Sequence, residues 1–450
     1  MATLGELADL AGGACDGAQG AVEGIATDTR TPLAGKLFVA IRGPRFDGHD
    51  HLEAAVASGA VAAMVEGNAD VPSGLPALRV DDTVAALGRM ALGWRRRLPS
   101  LRVLAITGTA GKTTTKDTLA SICASQMPTV ASPRSFNNAI GVPLTILAAR
   151  PTDSVLVAEV GTSGPGEIAP LADMLLPDVA VVTLIGRGHL EGLGDLAAVA
   201  AEKYALIEAL GDEGRAFVRY GSPPPTGLAA IETFGFEPEA DRVITDRGIG
   251  WMEFQGRRWR VGLPGRHGAL NALASLLAAR AVGIDDERIA AGLASVTPPP
   301  HRMATRLVGG ICVIDDAWNA NPESMHAVLD TVPELDLGAG RLVVILGDML
   351  ELGKESSTQH QRLAGVLERL SERVSVSVLI LVGPEMTPLA DVLPSRLCHT
   401  EIRHELHSDE ACMDRIAAGL TPGDTVLLKA SRGIGLERVI DRLESGASAC

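Results

Sequence analysis

The amino-acid sequence predicts an α/β protein with three domains. Short runs of Val, Ile and Leu alternate with Gly- and Ala-rich helical segments along the 450 residues, which is typical of parallel sheets covered by helices on both faces. At about 100–200 residues per domain, this length also suits two to four domains. Hydrophobic residues make up 46% of the chain and charged residues 21%, a composition that excludes an intrinsically disordered protein.

Charge and cysteine content indicate a cytoplasmic protein. The chain has 40 Lys and Arg against 55 Asp and Glu, a net charge of −15, which argues against nonspecific binding to nucleic acid or to an anionic membrane. The six cysteines are scattered without metal-type spacing, as expected in a reducing compartment. Acidic Glu6 and Asp9 stand where a signal peptide would be basic, and no apolar run reaches the ~20 residues of a transmembrane helix.

Changes of composition divide the chain into three blocks. In the first, residues 1–90, a helix separates the predicted strands KLFVAI (36–41) and VAAMVE (61–66). The basic segment 95–99 indicates a linker to the central block, 98–300, and three prolines at 298–300 mark the start of the last block, 301–450. We expect a small N-terminal α/β domain, a central domain with a parallel sheet, and a C-terminal Rossmann-like, doubly wound domain.

Seven apolar runs predict the buried strands of the two larger domains. They are LRVLAIT (101–107), SVLVAEV (154–160), DVAVVTLI (178–185), ICVID (311–315), RLVVIL (341–346), SVLILV (377–382) and TVLLKA (425–430). Ligands of open α/β sheets bind at the carboxyl ends of the strands, so the residues that follow each run are the candidates for chemistry.

The sharpest motif is a phosphate-binding loop. TGTAGKTTTK (107–116) directly follows a predicted strand and opens a helix, so that backbone N–H groups and the helix N-terminus can cradle phosphate. Lys112 would neutralise phosphate charge, and the Thr113 hydroxyl could bind Mg²⁺. The usual GxxxxGK[ST] spacing is shortened here to GxxGKT, and the alternative is a Gly-rich turn that binds nothing. The predicted nucleotide-binding residues of this loop are Gly108, Thr109, Ala110, Gly111, Lys112, Thr113 and Thr114.

Polar groups also follow the next two strands. Glu159 ends an apolar strand, where a carboxylate suits Mg²⁺ together with phosphate oxygens; the alternative is a sheet-edge Glu paired with a Lys. His189 follows the third strand, and Lys203 lies on the helix after it. Taken singly, His189 would be interpreted as a structural histidine and Lys203 as a solvated helix residue. Because these groups follow successive strands, together they favour a site for phosphate and metal.

Later polar residues each allow two interpretations. Asn271, on an Ala/Leu helix, could hydrogen-bond a base edge or cap a loop. Asp315 and Asp316 end a strand, where they could accept ribose hydroxyls or begin an Asx-rich turn with Asn319 and Asn321. The loops LGDMLELG (346–353) and KASRGIGLERV (429–439) also follow strands, and each alone is a weak signal.

In this order, the motifs resemble those of the Mur ligase family of ATP-dependent amide ligases, over essentially the whole chain. The segment TDTRTPLAGKLFVAIRGPRFDGHDHLEAAVASGA is similar to the family's domain for a uridine-nucleotide substrate, and TGTAGKTTTK is similar to its short phosphate loop. The similar motifs that follow, in family order, are SFNNAIGVPLTIL, EVG…GEIAPLA, GRGHLEGLG, GRHGALNALA, DDAWNANPESM and LGDMLELG.

The resemblance implies an activity. It implies a ligase of peptidoglycan precursor synthesis that joins D-Ala-D-Ala to UDP-N-acetylmuramoyl-tripeptide. ATP would phosphorylate the tripeptide carboxylate, the dipeptide amine would attack the acyl phosphate, and ADP and phosphate would be released. The implied cofactors are ATP and two Mg²⁺ ions, in a monomer that neither binds nucleic acid nor inserts into a membrane. Closure of the C-terminal domain would complete the site.

The resemblance also implies roles for individual residues. Lys112 would bind the ATP phosphates, Thr113 and Glu159 would hold one Mg²⁺, and His189 would help to hold the second. Lys203 matches a lysine that many family members carry as a carbamate, which would turn it into a metal-binding anion. Lys112, His189 and Lys203 are thus the implied catalytic residues.

Further implied contacts involve all three domains. Asn271 would contact adenine, and Arg302 and Asp316 would reach phosphate and ribose. The implied substrate-binding residues are Thr29, Arg30, Arg42, Asp47, Gly48, Asn137, Asn138, Asn319 and Asn321.

Several positions depart from the family pattern. Leu184 and Gly268 stand where the family often has Asn, and Trp318 stands where the family has the Tyr of SYNANP. GTSGPGEI and KASRGIGLERV also differ from the usual GANHIGEI and KGSRSMRMERV. The lost amides at 184 and 268 are expected to weaken contacts to metal or adenine.

Other classes remain as alternatives. The ligase that adds the third peptide residue usually carries a DNP-R motif, which is not found, and folylpolyglutamate-type ligases lack the N-terminal block. A phosphate-loop NTPase switch or a small-molecule kinase would normally show the full-length loop. A nonenzymatic nucleotide-binding scaffold would not need Glu159, His189 and Lys203 together.

Overall fold

The computed structural model describes residues 2–16, 20–44, 46–222 and 231–448. Over these ranges it contains sheets of five, nine and six strands, and a pair of two-residue strands. Each large sheet is mostly parallel and packs against helices, which confirms the predicted α/β class.

The N-terminal sheet has the strand order β2-β7-β6-β5-β4, with only β2 antiparallel to its neighbour. The two predicted strands, β5 and β6, lie at its centre with helix α2 between them in the chain. Its other strands were not predicted, because none of them forms an apolar run as long as KLFVAI or VAAMVE. The strands are β1 (Ala2–Thr3), β2 (Ala14–Asp16), β3 (Ala21–Val22), β4 (Gly24–Ala26), β5 (Lys36–Val39), β6 (Ala62–Glu66) and β7 (Ala77–Val80). The helices are α1 (Leu4–Ala11), α2 (Leu52–Ala57), α3 (Thr83–Arg96) and the 3-10 helix Gly48–His51.

Helix α3 joins the N-terminal sheet to the central one. Arg95, which was predicted to lie in a linker, is instead buried in the last turn of this helix. Its guanidinium donates to the carbonyls of Leu175 (2.9 Å), Leu176 (3.2 Å) and Leu98 (2.8 Å). The first two residues of the predicted linker thus belong to α3, because Arg95 satisfies the carbonyls at the end of a neighbouring helix, whereas 97–99 lie between α3 and β8.

The central sheet has the order β16-β15-β14-β13-β12-β11-β8-β10-β9, parallel from β9 to β14 and antiparallel beyond. Strands β12–β16 were not predicted, because charged residues interrupt them. The strands are β8 (Arg102–Thr107), β9 (Thr129–Ala131), β10 (Val155–Glu159), β11 (Val179–Val182), β12 (Arg215–Arg219), β13 (Ile231–Gly235), β14 (Arg242–Gly248), β15 (Trp251–Phe254) and β16 (Arg257–Arg260). The helices are α4 (Lys112–Ala124), α5 (Gly141–Ala148), α6 (Ile168–Leu175), α7 (Leu190–Leu193), α8 (Leu196–Glu208), α9 (Gly265–Ala281) and α10 (Asp286–Ser295).

Two hydrophobic layers bury the central strands on both faces. On β8, Val103 and Ala105 belong to the layer that contains α3, α5 and α6. Leu104 and Ile106 belong to the opposite layer with α4 and α9. This alternation explains why β8 is a continuous apolar run, and it holds the carboxyl end of the strand, where the phosphate loop begins, in a fixed position.

The C-terminal sheet has the order β17-β18-β22-β19-β20-β21, and only β17 is antiparallel. All four strands predicted here are confirmed, and α10 ends at Ser295, before the prolines, as predicted. The strands are β17 (Ala304–Val308), β18 (Ile311–Asp316), β19 (Leu342–Gly347), β20 (Val376–Val382), β21 (Glu401–Glu405) and β22 (Thr425–Lys429). The helices are α11 (Pro322–Thr331), α12 (Ser356–Arg373), α13 (Thr387–Val392), α14 (Glu410–Ala418) and α15 (Glu437–Ser448), with 3-10 helices at Val332–Glu334, Gly353–Glu355, Pro384–Met386, Leu393–Ser395 and Arg432–Ile434.

Among the described residues, no helix combines the length and the apolar character needed to cross a membrane. The five cysteines in the described ranges are all free thiols.

Candidate active site at the carboxyl ends of the central strands

The phosphate loop connects β8 to α4, and its two glycines are required by close neighbours. Gly108 has φ 146°, and a Cβ there would lie 2.1 Å from Oγ1 of Thr183. Gly111 has φ 87°, and a Cβ there would lie 2.6 Å from Oδ1 of Asn271. Both glycines therefore allow a backbone path that a larger residue would block, as a backbone that approaches phosphate needs.

The end of β11 holds this loop in place. The backbone N–H of Thr109 donates to the carbonyl of Leu184 (2.7 Å), and the Thr183 hydroxyl donates to the carbonyl of Ala110 (2.6 Å). The contact of Leu184 is made by its backbone, so the missing amide does not disturb the loop. Thr183 was not predicted, since one threonine at the end of an apolar strand carries no sequence signal.

Lys112 is the first residue of α4 and lines the cavity in front of the loop. Its Nζ donates to the carbonyl of Gly108 (2.6 Å), which folds the side chain back over the loop. Burial lowers the pKa of Lys112, Glu159 opposes that shift, and the positive charge of Arg302 adds to it. The ammonium group is thus positioned above the backbone N–H groups that would hold phosphate.

Glu159 is buried at the end of β10, and neutral donors hold it. Its Oε2 accepts from the Thr113 hydroxyl (2.7 Å) and its Oε1 from Nδ2 of Asn137 (2.8 Å). Strand β10 pairs with β8, so the carboxylate and the phosphate loop leave the sheet side by side. The alternative of a sheet-edge Glu paired with a Lys is wrong, because these neutral donors satisfy the carboxylate.

The pair of Thr113 and Glu159 fits a magnesium ion that is shared with phosphate. A hydroxyl and a carboxylate lie together at the N-terminus of α4, and both are oxygen donors of the kind Mg²⁺ prefers. In the described part of the chain, no group of three or more His, Cys, Asp or Glu side chains could hold a metal ion by itself. An ion here would therefore complete its coordination with phosphate oxygens and water.

His189 precedes α7 and contacts the C-terminal domain. Its backbone is left-handed (φ 60°), and its Nδ1 lies 2.6 Å from Oε2 of Glu351, which also has a left-handed backbone (φ 63°). The histidine holds the pKa of Glu351 below its usual value. With Nδ1 engaged, Nε2 is the nitrogen left for a metal. Glu351 belongs to the LGDMLELG motif, which was noted only as a weak signal.

Lys203 lies on α8 and is 1% exposed, so the interpretation as a solvated lysine is wrong. Burial, assisted by the positive charge of Lys112, lowers the pKa of Lys203 to about 7, while Glu202 opposes the shift. Within the described residues its Nζ has no hydrogen bond or salt bridge. Lys203 is not among the residues that line the cavity, but it lies close enough to Lys112 for their charges to interact.

Helix α9 places Asn271 against the phosphate loop. The residue lines the cavity, and its Oδ1 packs on Gly111. A Cβ at Gly268 would lie 2.9 Å from the backbone of Leu263, so this chain has no room for the family's usual Asn at that position. Neighbouring His267 is neutral at pH 7, because burial and the charge of Lys429 lower its pKa to about 4.

The C-terminal domain closes the cavity with residues at the ends of β18 and β22, in the loop after β18, and just before β17. Asp316 Oδ2 accepts from Lys429 Nζ (2.5 Å), and Lys429 also donates to the carbonyl of Asn319 (3.0 Å). Asn321 caps α11 by accepting from the N–H of Ser324 (2.9 Å), as the Asx-turn interpretation predicted. Arg302 stacks on Trp318, with its guanidinium carbon 5.5 Å from the ring centroid.

One cavity of about 380 Å³ brings most of the predicted residues together. Those that line it are Thr109, Ala110, Gly111, Lys112, Thr113, Thr114, Asn137, Asn138, Glu159, His189, Asn271, Arg302, Asp316, Asn319 and Asn321. The Oδ1 of Asn138 also accepts from the N–H of Gly141, the first residue of α5 (2.9 Å). Gly108 and Lys203 are the two predicted residues of the central domain that do not line the cavity.

The five predicted residues of the N-terminal domain lie outside this cavity. Arg42 donates to Asp47 (Nε to Oδ2, 2.8 Å) and pairs with Glu66 (3.1 Å), and Asp47 also contacts His49 Nδ1 (2.6 Å). Arg30 pairs with Asp28, and the carbonyl of Thr29 accepts from the Ser58 hydroxyl. A Cβ at Gly48 would lie 2.5 Å from the backbone of Ile41, so the turn that carries Asp47 requires a glycine.

Further contacts between the central and C-terminal domains were not predicted. The N–H of Arg187 donates to Oε1 of Glu323 (2.8 Å), and the guanidinium of Arg247 binds both carboxylate oxygens of Glu334 (2.8 and 2.6 Å). Each contact joins residues that are far apart in the sequence, so no local pattern could indicate it. Together with His189 and Glu351, they hold the C-terminal domain over the phosphate loop.

A phosphate loop, an adjacent buried carboxylate and a covering α/β domain define a nucleotide-binding protein with its site between domains. Comparisons with known families narrow this class. Three family profiles match in order: "Mur ligase family, catalytic domain" at residues 21–95, "Mur ligase middle domain" at 106–279, and "Mur ligase, glutamate ligase domain" at 301–432. The chain belongs to the Mur ligase family, as the resemblance implied.

Individual relatives match over nearly the full length. The chain is 31% identical to the UDP-N-acetylmuramoyl-tripeptide–D-alanyl-D-alanine ligase of Bacillus subtilis (strain 168), over 96% of this chain and 95% of the relative. It is 30% identical to the Escherichia coli (strain K12) ligase of the same name, over 99% of both chains. Among solved structures, MurF from Acinetobacter baumannii superposes with a TM-score of 0.83 at 27% identity, over 99% of both chains. MurF ligase from Thermotoga maritima in complex with ADP has a TM-score of 0.77 at 27% identity, over 95% of this chain and 98% of that one.

Proposed function

We propose that the protein is the ATP-dependent ligase that joins D-Ala-D-Ala to UDP-N-acetylmuramoyl-tripeptide in peptidoglycan precursor synthesis. The observation that carries this proposal is the single cavity in which the phosphate loop, Glu159 and Arg302 of the C-terminal domain meet. Near full-length similarity to ligases with this activity supports the choice of substrates. The use of ATP and the free cysteines support a cytoplasmic location.

The chemistry requires an activated carboxylate, because a carboxylate is a poor electrophile. A carboxylate oxygen of the tripeptide attacks the γ-phosphorus of ATP, the bond to the bridging oxygen breaks, and ADP leaves. The amine of D-Ala-D-Ala then attacks the carbonyl carbon of the acyl phosphate, loses a proton and expels inorganic phosphate. In such transfers the protein acts mainly by positioning groups and stabilising charge.

Lys112 is proposed to neutralise the charge that develops on the transferred phosphoryl group. Its fixed place over the loop supports this role, because a preorganised cation acts most strongly in a site from which water is excluded. Gly108 to Thr114 would hold the phosphates through backbone N–H groups. Asn271 is proposed to contact the adenine, and Arg302 and Asp316 to complete the nucleotide site from the other domain.

Thr113 and Glu159 are proposed to hold one Mg²⁺, and His189 and Lys203 the second. The bound ions would supply charge neutralisation and orientation of the phosphates. His189 presents Nε2 because Glu351 engages its Nδ1. Lys203 could become an oxygen ligand only as a carbamate, and its lowered pKa supports that reaction, since the neutral amine is the form that attacks CO₂.

Residues 1–90 are proposed to hold the uridine nucleotide of the substrate, with Thr29, Arg30, Arg42, Asp47 and Gly48 in contact with it. The exposed guanidinium of Arg42, fixed by two carboxylates, supports this assignment. Asn137, Asn138, Asn319 and Asn321 are proposed to face the peptide in the cavity. These amides lie on both sides of the cavity, so a substrate between them would contact two domains.

The proposal is tested by measuring phosphate release with a panel of UDP-muramoyl peptides and dipeptides. Release should require a UDP-muramoyl-tripeptide, a dipeptide and ATP together, and the product should contain a new peptide bond by mass spectrometry. Release with a muramoyl-dipeptide and a single amino acid, but not with the tripeptide, would identify the ligase that adds the third residue instead.

A further inference from the structure

Trp318 carries two cations at the edge of the cavity. The guanidinium carbon of Arg432 lies 4.0 Å from its ring centroid, and that of Arg302 lies 5.5 Å away. His301 stacks against the same ring, with centroids 6.4 Å apart and an interplanar angle of 19°. Trp318 and Arg302 line the cavity, whereas Arg432 is exposed beside it. Like charges repel, so an arrangement of two guanidiniums on one ring favours an anion that can approach them.

The backbone that carries Arg432 is firmly held. The residue begins the 3-10 helix Arg432–Ile434, directly after β22. The preceding Ser431 donates its N–H to the carbonyl of Asp348 (3.1 Å), and its hydroxyl accepts from the N–H of Leu350 (2.9 Å) and donates to the carbonyl of Ala320 (3.3 Å). Three separate loops are thus tied together at the base of Arg432, which fixes its direction over Trp318.

No carboxylate in the described part of the chain forms a salt bridge with Arg432. Two acidic residues of the adjoining loops bind other groups, because Asp316 pairs with Lys429 and Glu351 with His189. The C-terminal side of the cavity therefore presents a guanidinium whose hydrogen-bond donors remain available. Its planar fork suits a carboxylate, to which it can donate two parallel hydrogen bonds.

We propose that Arg432, supported on Trp318, binds the terminal carboxylate of the acceptor dipeptide. This inference rests on the proposed function, in which the dipeptide brings its amine to the acyl phosphate and carries a negative charge at its other end. Arg302 lies close enough to Glu159, beside the phosphate loop, for their charges to interact, and it shares the ring of Trp318 with Arg432. Arg432 and the phosphoryl group at the loop would thus be the two ends of the acceptor site. The dipeptide would lie between them, with its amine toward the phosphoryl group and its carboxylate on Arg432.

The test compares Arg432→Gln with wild type on D-Ala-D-Ala and on its C-terminal amide, which lacks the charge. We expect Arg432→Gln to raise the KM for D-Ala-D-Ala by at least about tenfold, the loss of one charge-assisted contact. The KM values for ATP and for the UDP-tripeptide should change less than about twofold. For wild type, kcat/KM should be at least about tenfold lower with the amide than with the acid. For Arg432→Gln, the two values should be equal.

The matched control is Arg258→Gln. Arg258 is also exposed and also stacks on a tryptophan, Trp251, with its guanidinium carbon 3.9 Å from the ring, but it lies on β16, outside the cavity. This variant should keep the wild-type KM for the dipeptide. Arg432→Lys keeps the positive charge but loses the planar guanidinium. Its KM for the dipeptide should lie between those of wild type and Arg432→Gln.

Each outcome decides the inference. If Arg432→Gln lowers kcat/KM equally for the acid and for the amide, Arg432 does not bind the dipeptide carboxylate. The same conclusion follows if the KM for ATP rises instead. A wild-type enzyme that uses the acid and the amide equally well overturns the inference without any variant. If wild type ligates no dipeptide at all, the proposed function itself fails, whereas ligation by wild type with unchanged kinetics in Arg432→Gln overturns this inference alone.

Discussion

Nδ1 of His189 lies 2.6 Å from Oε2 of Glu351, and the two residues come from different domains. His189 follows β11 in the central domain, and Glu351 follows β19 in the C-terminal domain. Both have left-handed backbones, which are uncommon in residues other than glycine and are maintained only where the surroundings impose them. The orientation of this imidazole therefore depends on the position of the C-terminal domain.

Replacing Glu351 by Ala should weaken the proposed metal site. Without the carboxylate, the imidazole can rotate and its tautomer is no longer fixed, so apparent Mg²⁺ affinity or activity should fall by about 10- to 100-fold. Turnover measured against Mg²⁺ concentration checks this, together with the thermal stabilisation by ADP and Mg²⁺. Glu401→Ala, on the outer strand β21, is the control and should behave as wild type. An unchanged Mg²⁺ dependence in Glu351→Ala would show that the contact between the domains has no role in metal binding.

Replacing Lys112 by Ala should abolish ligation while leaving the fold intact. Turnover is expected to fall by ~10²-fold or more, because the ammonium would act mainly on the transition state. Steady-state phosphate release measures the loss, and circular dichroism checks the fold. Lys354→Ala, an exposed lysine of the same charge, should retain activity. Wild-type turnover in Lys112→Ala would remove the phosphate loop from the proposed mechanism.

Lys203→Ala should be nearly inactive, and formate or acetate should partly restore its activity. A carbamate on Lys203 would be a metal-binding anion, and a small carboxylate could occupy the space left by the side chain. The measurement is turnover at increasing concentrations of formate, with chloride at equal ionic strength as the control. A fully active Lys203→Ala enzyme would mean that the buried lysine is only structural.

The pKa of Lys203 also predicts a dependence on pH and bicarbonate. With its pKa lowered to about 7, the buried amine is neutral in a large fraction of molecules at pH 7 to 8. An ordinary lysine with a pKa near 10.4 would be neutral in less than about one molecule in a thousand at pH 7. As the pH falls below 7 the amine becomes protonated and the carbamate is lost, so activity should fall and added bicarbonate should counteract the fall. Mass spectrometry of trapped carbamate on Lys203 gives a readout that is independent of turnover.

Arg42→Gln should raise the KM for the UDP-tripeptide by about tenfold, as expected for one charge-assisted contact, without changing the KM for ATP. A point substitution is the appropriate test, because deletion of residues 1–90 would cut through α3. That helix contacts the central domain through Trp94, whose Nε1 donates to the carbonyl of Ala149 (2.9 Å), and through Arg95. Lys36→Gln serves as the control in the same domain. Equal KM values for Arg42→Gln and wild type would count against the proposed uridine-nucleotide site.

The parts of this structure that the sequence predicts are the local ones. Strands such as β8 and β19 are continuous apolar runs, and the phosphate loop is contained in ten consecutive residues. Strands β12–β16 follow one another on one side of β11, carry charged residues such as Arg257 and Arg260, and so give no apolar run. Their strand structure depends on pairing with neighbours rather than on their own pattern.

The arrangement of the site depends on contacts that sequence patterns do not record. His189 and Glu351 are separated by 162 positions, and Arg187 and Glu323 by 136. Burial of Lys203 likewise results from how α8 packs, since a lysine on a helix is usually exposed. Departures at 184 and 268 become understandable only in three dimensions, because Leu184 contributes its backbone and Gly268 packs closely on Leu263.

The central claim is that the tripeptide carboxylate is phosphorylated by ATP in the cavity before the dipeptide amine attacks. The most direct measurement uses UDP-N-acetylmuramoyl-tripeptide with ¹⁸O in its terminal carboxylate and follows the label by mass spectrometry. Attack by a carboxylate oxygen on the γ-phosphorus predicts that one ¹⁸O atom appears in the released phosphate for each peptide bond formed. Unlabelled phosphate, released together with ligated product, would contradict the acyl-phosphate mechanism.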